Sequence, residues 1–309
     1  MLAARLPAVR AAFMSAALLL CGCQLTEITV ATSEDVIVAE VILRAGENEQ
    51  YAYLHRTTRT NATGRVDSAL VTVRDETTGG ALQYQVVDPA NCVQPRGQEP
   101  GLDIGTCYIA GRAAGFVRPE GRYALRIDVA DRVLTGHLQV PGAFQLLRPA
   151  TRSCNLNARQ LLELSWSRAA NAWVYVTDGH FINLRQALRR EGVQVTGNDP
   201  VDLTGLSISG TDTTLVFPRE IGLFDRFNED LHPIVLAIQN GLPDGVVVDL
   251  TIGAGDRNYV NWVRGGVFNP SGQVRVPSIQ GDGTGVFGAI VPVTQQIRVV
   301  STAGPPSCT

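Results

Sequence analysis

The strongest candidate for a group of catalytic residues is a short segment with three carboxylates and a histidine. These residues are Asp225, Glu229, Asp230 and His232. Two carboxyl groups held on either side of a glycosidic bond can act as acid and base, or as acid and nucleophile. The same residue types at irregular spacing are also typical of a solvated polar loop. We expect a polar loop here, with a hydrolase as an alternative hypothesis.

The sequence lacks the other common motifs for nucleophilic or metal chemistry. No G-x-S-x-G elbow occurs, which is a usual setting for a serine nucleophile. The histidines lack the spacing of zinc ligands and are His55, His137, His180 and His232. Four aspartates offer oxygen ligands for calcium without the regular spacing of an EF-hand loop, namely Asp199, Asp202, Asp256 and Asp282. The sequence therefore predicts no catalytic residue, no cofactor and no metal site.

A glycine-rich stretch near the C-terminus matches the dinucleotide fingerprint letter for letter. Gly283, Gly285 and Gly288 form a G-x-G-x-x-G pattern. That fingerprint also needs a preceding strand, a helix directly after it and an acidic residue about 20 positions later. Here 289–293 are Ala-Ile-Val-Pro-Val, which is typical of a strand. We expect a glycine loop that packs Phe287 into a core, followed by the last strand.

The N-terminus has the parts of a secretory signal. Arg5 and Arg10 precede an apolar stretch of about ten residues, which is shorter than the roughly 20 needed to span a bilayer. The stretch ends in Leu20-Cys21-Gly22-Cys23, which resembles the bacterial lipobox. The resemblance implies a signal peptide at 1–22 and lipidation of Cys23. Cys21 is the poorer candidate because no small-residue pair precedes it, and ordinary cleavage without lipid is the alternative.

The expected anchor fixes the location of the chain. Each buried acyl methylene contributes about 0.8 kcal/mol, so several chains on one cysteine hold a protein on a membrane permanently. Gln24 takes the position at which an aspartate is usually associated with retention at the inner membrane. We therefore expect an envelope lipoprotein of the outer membrane. Cleavage before Cys23 removes 22 of the 309 residues and both of their arginines, which changes the net charge from −3 to −5.

The remaining cysteines point to disulfides. Cys92, Cys107, Cys154 and Cys308 are an even number in an exported chain, where thiols usually pair. Four cysteines allow three pairings. The simplest gives each half of the chain its own bridge, Cys92 with Cys107 and Cys154 with Cys308. A metal site is the competing interpretation.

Composition favours a folded protein and argues against nucleic acid. Apolar residues make up 45% and charged residues 18% of the chain, which favours buried cores. All basic residues are arginines, with no basic cluster of the kind that phosphate binding requires. The length predicts two domains.

Short strands separated by turn residues dominate the first half. Tyr123–Val129 alternates apolar and polar residues, as in a strand with one buried face. Further runs of this kind are 36–43, 51–55, 69–73, 82–87 and 133–140. About seven strands without a helix predict a β-sandwich over 23–145. The stretch 121–125, Gly-Arg-Tyr-Ala-Leu, resembles the closing hairpin of transthyretin-like and immunoglobulin-like modules.

The second half, 153–309, follows an expected linker at 146–152. Leu-Ser-Trp-Ser at 164–167 followed by Ala-Trp-Val-Tyr-Val at 172–176 resembles fibronectin type III domains, in which the tryptophan is core. The pattern predicts a helix over 180–190, a hairpin of strands 235–239 and 246–252, and a short helix over 257–264 capped by Asp256. The predicted fold class is therefore mainly all-β, with two sandwiches and short helices inserted in the second.

The C-terminal third resembles a known lipoprotein family. The residues that carry the resemblance are Asn258-Tyr259-Val260-Asn261-Trp262, Pro277-Ser278-Ile279-Gln280 and the glycine-rich stretch ending at Gly288. They are similar to the close of uncharacterised two-domain outer-membrane lipoproteins of the Bacteroidota type, a domain of unknown function. Members of that family often accompany TonB-dependent receptors, so the resemblance implies a role as accessory to such a receptor.

Three hypotheses for function follow. The first is a non-enzymatic accessory or binding partner of an outer-membrane receptor. The second is a stand-alone surface module that binds glycans or peptides, because aromatic rings can stack on sugars if exposed. Its candidate residues are Trp166, Trp173 and Trp262, although the periodicity around Trp166 indicates a core position. The third is a hydrolase built on the segment 225–232.

Overall fold

Strands make up most of the described chain. The computed structural model describes residues 35–57, 64–88, 105–207, 209–223, 225, 228–265 and 276–308. Within these ranges there are 17 strands and three short helices. The predicted all-β fold class is confirmed. The predicted signal peptide, Cys21, Cys23 and Cys92 lie outside the described residues.

The first half forms two sheets with the strand order of an immunoglobulin domain. Its strands are β1 (Ile37–Arg44), β2 (Gln50–Arg56), β3 (Leu70–Asp75), β4 (Ala81–Gln83), β5 (Gln85–Val87), β6 (Gly105–Ala110), β7 (Arg122–Val129) and β8 (Arg132–Gln139). One sheet contains the order β1-β2-β6-β5 and the other β8-β7-β3-β4. These orders correspond to A-B-E-D and G-F-C with an added strand beside C.

The start of β7 carries the tyrosine corner found in such sandwiches. Tyr123 is fully buried, and its hydroxyl donates to the carbonyl of Phe116 at 2.6 Å. The same hydroxyl accepts a hydrogen bond from the backbone N–H of Arg118 at 2.9 Å. A tyrosine at the start of strand F that bonds to backbone a few residues upstream is a hallmark of the immunoglobulin fold. The predicted closing hairpin with a tyrosine strand is confirmed.

The expected single strand at 82–87 is two strands in different sheets. β4 pairs with β3, whereas β5 pairs with β6 in the opposite sheet. Tyr84 lies between them with its side chain buried. The run of β-branched and aromatic residues predicted extended backbone correctly. It could not show the change of partner, because this depends on where the two sheets lie in space.

The second half also forms a sandwich. Its elements are β9 (Leu146–Arg148), β10 (Ser153–Asn157), β11 (Leu162–Trp166), β12 (Val174–Ile182), α1 (Leu184–Arg190), β13 (Val201–Leu206), β14 (Thr214–Phe217), α2 (His232–Ile238), β15 (Val247–Gly255), α3 (Arg257–Gly265), β16 (Ile279–Gly281) and β17 (Gly283–Val300). One sheet has the order β14-β11-β9, and the other contains β13-β12-β15-β17. These orders correspond to A-B-E and C′-C-F-G, the arrangement of a fibronectin type III-like sandwich.

The core of this sandwich forms around the tryptophan that the sequence placed there. Trp166 is buried and meets the ring of Tyr175 edge-on, with centroids 5.3 Å apart. Phe144 contacts the same tyrosine at 5.5 Å. Aromatic pairs with these separations stabilise a core beyond their buried area. The core position of Trp166 is therefore confirmed.

Two predictions for the second half were wrong in type or extent. The predicted strand 235–239 belongs to helix α2, which buries Ile234, Val235 and Ile238 on one side. β-Branched residues suggested a strand, but helical spacing and tertiary burial decided the conformation. The predicted helix 180–190 begins only at Leu184, because residues 180–182 pair within β12. The helix predicted over 257–264 is confirmed as α3.

The two strand sets share one sheet. β1 pairs in parallel with the first half of β17, from Ile37 opposite Gly283 to Arg44 opposite Ile290. The result is a nine-stranded sheet that runs through both halves, and Asp35–Thr309 forms one compact unit. The expected linker at 146–152 includes strand β9. The domain ranges 23–145 and 153–309 stay predictions, since both halves share hydrogen bonds and a core.

The glycine stretch 283–288 lies within this shared strand and is not a loop. β16 pairs with β8, and the chain then turns into β17 beside β1. Gly285 has φ +134°, and a Cβ added to it would clash with the carbonyl oxygen of Ala39 at 1.9 Å. Phe287 is fully buried, as predicted. The glycines allow close backbone approach between strands.

Both smaller sheets cover the same face of the nine-stranded sheet. Phe287 of β17 packs against Gly136 of β8, and Tyr175 of β12 packs against Trp166 of β11. Phe287 and Tyr175 belong to one core cluster, on the same side of the pleat. Helix α3 packs on the opposite face, over Val174, Val176 and Ile290. The connections between strands lie at the two ends of the second sandwich.

Candidate functional site

The carboxylates of the acidic segment around Asp225 accept hydrogen bonds from an edge strand and from a connection. The Oδ2 atom of Asp225 accepts a hydrogen bond from the backbone N–H of Thr204 at 2.8 Å, on edge strand β13. The Oδ1 atom of Asp230 accepts one from the hydroxyl of Thr196 at 3.0 Å. His232 is the first residue of α2. These groups bond to different elements, which supports the predicted polar loop.

The four candidate calcium aspartates also lie apart. Asp199 accepts hydrogen bonds from the backbone N–H groups of Arg185 and Gln186 in the first turn of α1. Asp202 bonds to His180 at 2.8 Å, and Asp282 accepts from the N–H of Val133 at 2.9 Å. In the described part of the chain, no group of three or more His, Cys, Asp or Glu side chains is arranged to hold a metal ion.

Asp256 caps helix α3 and joins it to the sheet. Its Oδ1 atom accepts from the N–H of Tyr259 at 2.8 Å and from the N–H of Ala289 in β17 at 3.1 Å. Burial raises the pKa of Asp256 to about 6, against the opposing effect of these hydrogen bonds. The predicted cap is confirmed. It also fixes the position of Arg257, the first residue of α3.

The three tryptophans have different environments. Trp166 is buried, and Trp262 is half-buried against Tyr259. Trp173 is 54% exposed, although it lies directly before the buried strand β12. The guanidinium of Arg257 lies over its ring, 5.3 Å from the centroid. Of these three candidates for stacking on a ligand, Trp173 is the most exposed.

Trp173 lies where three connections of the second sandwich meet. They are residues 167–173 between β11 and β12, residues 209–213 before β14, and residues 256–257 after β15. We call this region the loop end. A Cβ on Gly210 would come within 2.0 Å of the Ala172 carbonyl oxygen, so the first two connections touch. Arg257 brings in the third connection through the contact with Trp173.

Backbone and hydroxyl hydrogen bonds hold the loop end in place. The N–H of Trp173 donates to the carbonyl of Gly255 at 2.9 Å, and the N–H of Trp166 donates to that of Thr213 at 3.1 Å. Ser207 accepts from the N–H of Tyr175 at 2.7 Å and donates to the carbonyl of Ser209 at 3.1 Å. The connections are thus positioned by the sheet and by each other, which favours a preorganised surface.

The loop end carries two guanidinium groups and two carboxylates, which differ in exposure. Arg168 and Arg257 are exposed, whereas Asp212 is half-buried and Asp256 is buried. Burial raises the pKa of the Tyr175 hydroxyl, and the N–H of Ala169 and the positive charge of Arg168 oppose this rise. Arg168 therefore lies close to the core tyrosine beneath the loop end. The surface combines one open indole ring, two guanidinium groups and several hydroxyls.

The sequence indicated Trp173 as a possible stacking residue but did not predict the loop end. Arg257 was expected only as part of a capped helix, and residues 209–213 carried no motif. The available signal was Trp173 itself, a large aromatic residue two positions after the end of the turn 168–171. Its exposure depends on the three connections meeting at one end, which requires the sandwich topology.

The cysteine predictions are confirmed in part. Cys154 and Cys308 form a disulfide that closes a span of 154 residues, with Cα atoms 5.0 Å apart. Cys107 is disulfide-bonded as well. Cys92 lies outside the described residues, so the predicted pairing of Cys92 with Cys107 stays a prediction. Among the described residues, no helix is long and apolar enough to cross a bilayer.

Comparisons with known proteins give weak likenesses only. No protein-family model matches the chain, and no curated protein matches it. The FN1–FN3 domains of chicken CNTN1 are 10% identical, with 84% of this chain and 65% of that chain covered and a TM-score of 0.19. A DUF4785 family protein from Legionella pneumophila is 10% identical, with coverages of 69% and 51% and a TM-score of 0.20.

Titin domains I67–I69 are 7% identical, with 86% of this chain and 66% of that chain covered and a TM-score of 0.19. The chain spans about half to two thirds of the length of these three structures. TM-scores of this size carry no functional argument. The immunoglobulin-like and fibronectin type III-like assignment rests on the strand orders, and the resemblance to a lipoprotein family stays a prediction.

Proposed function

We propose that this chain is an outer-membrane lipoprotein, anchored through Cys23, that works as a non-catalytic binding module. The observation that carries the binding role is the loop end, where the exposed Trp173 and Arg257 lie on preorganised connections. Trp and Arg are the residue types most enriched among binding hot spots. The anchor is supported by the Leu20-Cys21-Gly22-Cys23 segment.

The partner we propose is an outer-membrane receptor of the TonB-dependent class. This part rests on the resemblance of the C-terminal third to lipoproteins that accompany such receptors. A non-catalytic role is supported by the bonds of Asp225, Asp230 and Asp256, whose carboxylates accept hydrogen bonds from backbone or hydroxyl donors. These carboxylates bond to an edge strand, a connection and a helix start, which are three different parts of the fold.

The anchor is tested by metabolic labelling with an alkyne analogue of palmitate. Wild-type chain and Cys21→Ser should carry the label and sediment with outer membranes. Cys23→Ser should lose the label and appear in the soluble fraction. Labelling that persists in Cys23→Ser, or a wild-type chain without label, would show that the anchor is assigned wrongly.

The receptor role is tested by cross-linking in cells, followed by purification of the lipidated protein and mass spectrometry. Cross-links to one receptor should decrease with Trp173→Ala and persist with Leu236→Ala. Leu236 is a matched control because it is exposed to a similar extent, 53%, on helix α2. Recovery of the lipoprotein without a receptor would reject the accessory role.

A stand-alone glycan-binding module is the second candidate function. The exposed ring of Trp173 favours it, since aromatic side chains offer an apolar face with polar groups nearby. The buried position of Trp166 and the half-buried position of Trp262 remove two of the three stacking residues expected from the sequence. The glycan candidate therefore depends on the loop end alone.

A further inference from the structure

We propose that the loop end binds a pyranose ring that carries a carboxylate, as in an acidic glycan. The ring would stack on the open part of Trp173, and its carboxylate would bond to the guanidinium of Arg257. The inference builds on the binding role proposed above but needs neither the lipid anchor nor a receptor.

The first step concerns the indole ring. A fully exposed apolar surface is unfavourable in water, at about 25 cal/mol per Å². Trp173 nevertheless keeps 54% of its surface exposed directly before β12, whose first four residues are buried. Its backbone is fixed by the hydrogen bond to Gly255. A ligand can therefore cover the exposed part of the ring without first ordering the backbone of this connection.

The second step concerns Arg257. Its guanidinium lies 5.3 Å from the centre of the Trp173 ring, in the range of a cation–π contact. A guanidinium that stacks on a ring keeps its N–H groups in the plane at its edge, where they match the geometry of a carboxylate. The cap at Asp256 fixes the start of α3, so the charge is held beside the ring.

The third step concerns the surroundings. Exposed polar residues lie on the connections beside Trp173, with Asn171 on its own connection and Thr211 on the neighbouring one. The Thr211 hydroxyl is 2.8 Å from that of Ser209. Such amide and hydroxyl groups suit the hydroxyls of a sugar, whereas an apolar peptide side chain would need an apolar pocket. An acidic sugar combines the flat apolar face, the hydroxyls and the negative charge.

The test uses the mature chain without its lipid, residues 24–309, which contains the whole compact unit from Asp35. The probe is trigalacturonate, and the uncharged trisaccharide of galactose is its comparison. The chain has three tryptophans, so a two-dimensional NMR spectrum gives three indole N–H signals. Trigalacturonate should shift the Trp173 signal in a saturable way and leave the Trp166 signal unchanged.

Three variants separate the contributions, with affinity measured by calorimetry. Trp173→Ala should weaken binding of trigalacturonate by about tenfold or more, as expected for a hot-spot residue. Arg257→Gln should remove the preference for the acidic over the uncharged trisaccharide while keeping weak stacking. Arg126→Gln is the matched control, because Arg126 is exposed and pairs with Asp128 on the distant strand β7.

Several outcomes would overturn the proposal. No saturable shift up to about 10 mM sugar would do so, as would binding that is unchanged by Trp173→Ala. Equal affinity for both trisaccharides would reject the acidic class. Binding of an oligoglutamate peptide through Trp173 without binding of either sugar would identify a peptide site instead. These results are independent of the labelling of Cys23, so failure of the two proposals can be told apart.

Discussion

At the scale of single residues, the same side-chain types serve chemistry in some proteins and structure in this one. Aspartates that the sequence offers as catalytic or calcium-binding groups instead accept hydrogen bonds from helix starts and strand edges. Free N–H groups at these places need partners, and a carboxylate is a strong acceptor for them. Residue type alone therefore does not distinguish a catalytic carboxylate from a capping one.

Asp256→Asn is expected to change how stability depends on pH. Because burial raises the pKa of Asp256 in the folded chain to about 6, the folded state holds this proton more tightly than the unfolded state. The protonated carboxyl therefore stabilises the folded state at low pH. This contribution to the free energy of unfolding is lost as pH rises from about 4 to about 6. The loss is on the order of 3 kcal/mol.

The measurement is urea unfolding of wild type and Asp256→Asn at several pH values. The amide oxygen of asparagine can keep both hydrogen bonds, so the variant should gain stability relative to wild type as pH rises from 4 to 7. Asp131→Asn is a control, since that carboxylate is exposed in the turn between β7 and β8. Parallel curves for wild type and Asp256→Asn would contradict the prediction.

Tyr123→Phe should destabilise the first sandwich by about 1–3 kcal/mol, because it leaves two backbone groups unpaired. They are the N–H of Arg118 and the carbonyl of Phe116. Tyr84→Phe is the matched control: Tyr84 is also buried, but its hydroxyl has no hydrogen-bond partner among the described residues. Thermal unfolding should show a loss for Tyr123→Phe alone, and equal losses would argue against the tyrosine corner.

At the scale of elements, a strand edge and a close approach between strands explain the positions of Asp225 and of the glycine stretch. The edge of β13 is covered, since Gly222 and Asp225 bond to the backbone of Thr204. An exposed edge would invite pairing with another chain. The glycine stretch serves a related need, since it lets the start of β17 lie against β1 and β8. A fingerprint-like pattern thus results from strand packing.

Gly285→Ala is expected to be strongly destabilising. The new Cβ would clash with the Ala39 carbonyl, and φ +134° is unfavourable for alanine. A loss above about 4 kcal/mol, or failure to fold, is expected because backbone cannot move aside as a flexible side chain can. Gly111→Ala is the control, since nothing lies within 4 Å of its Cβ position. Similar unfolding midpoints for both variants would show that β1 and β17 are not packed this closely.

At the scale of the whole molecule, two sandwiches are fused through a shared sheet. β17 is the last strand of the second sandwich and pairs with the first strand of the first. β16 adds to the other sheet of the first sandwich at β8. The C-terminal segment returns along β10, where Cys308 bonds to Cys154. Both ends of the described chain therefore depend on contacts far away in sequence.

Cys308→Ser should lower the stability of the whole unit. The bridge closes a span of 154 residues, and loop-closure entropy for a span of this size gives up to about 5 kcal/mol. Cys154→Ser and the double variant should cost about the same as Cys308→Ser, since each removes the same bond. Additive losses in the double variant would contradict this, and calorimetry under non-reducing conditions would detect them.

The sequence by itself determined the features that depend on local patterns. Alternation fixed the strand Tyr123–Val129, the Asp256 cap marked the start of α3, and the placement of Trp166 in a fibronectin type III-like pattern located a core. The pairing of Cys154 with Cys308 was the simplest of three possibilities. These predictions succeeded because each depends on neighbours within a few residues or on a small number of combinations.

Only the tertiary structure decided the rest. The conformation of 235–239, the switch of sheet at Tyr84 and the fusion of β1 with β17 depend on partners that lie far apart in sequence. The same holds for the loop end. Trp173 and Arg257 are separated by more than eighty residues, and they meet because the C and F strands are neighbours in the sheet. Local patterns select strands, whereas burial and strand pairing choose which residues meet.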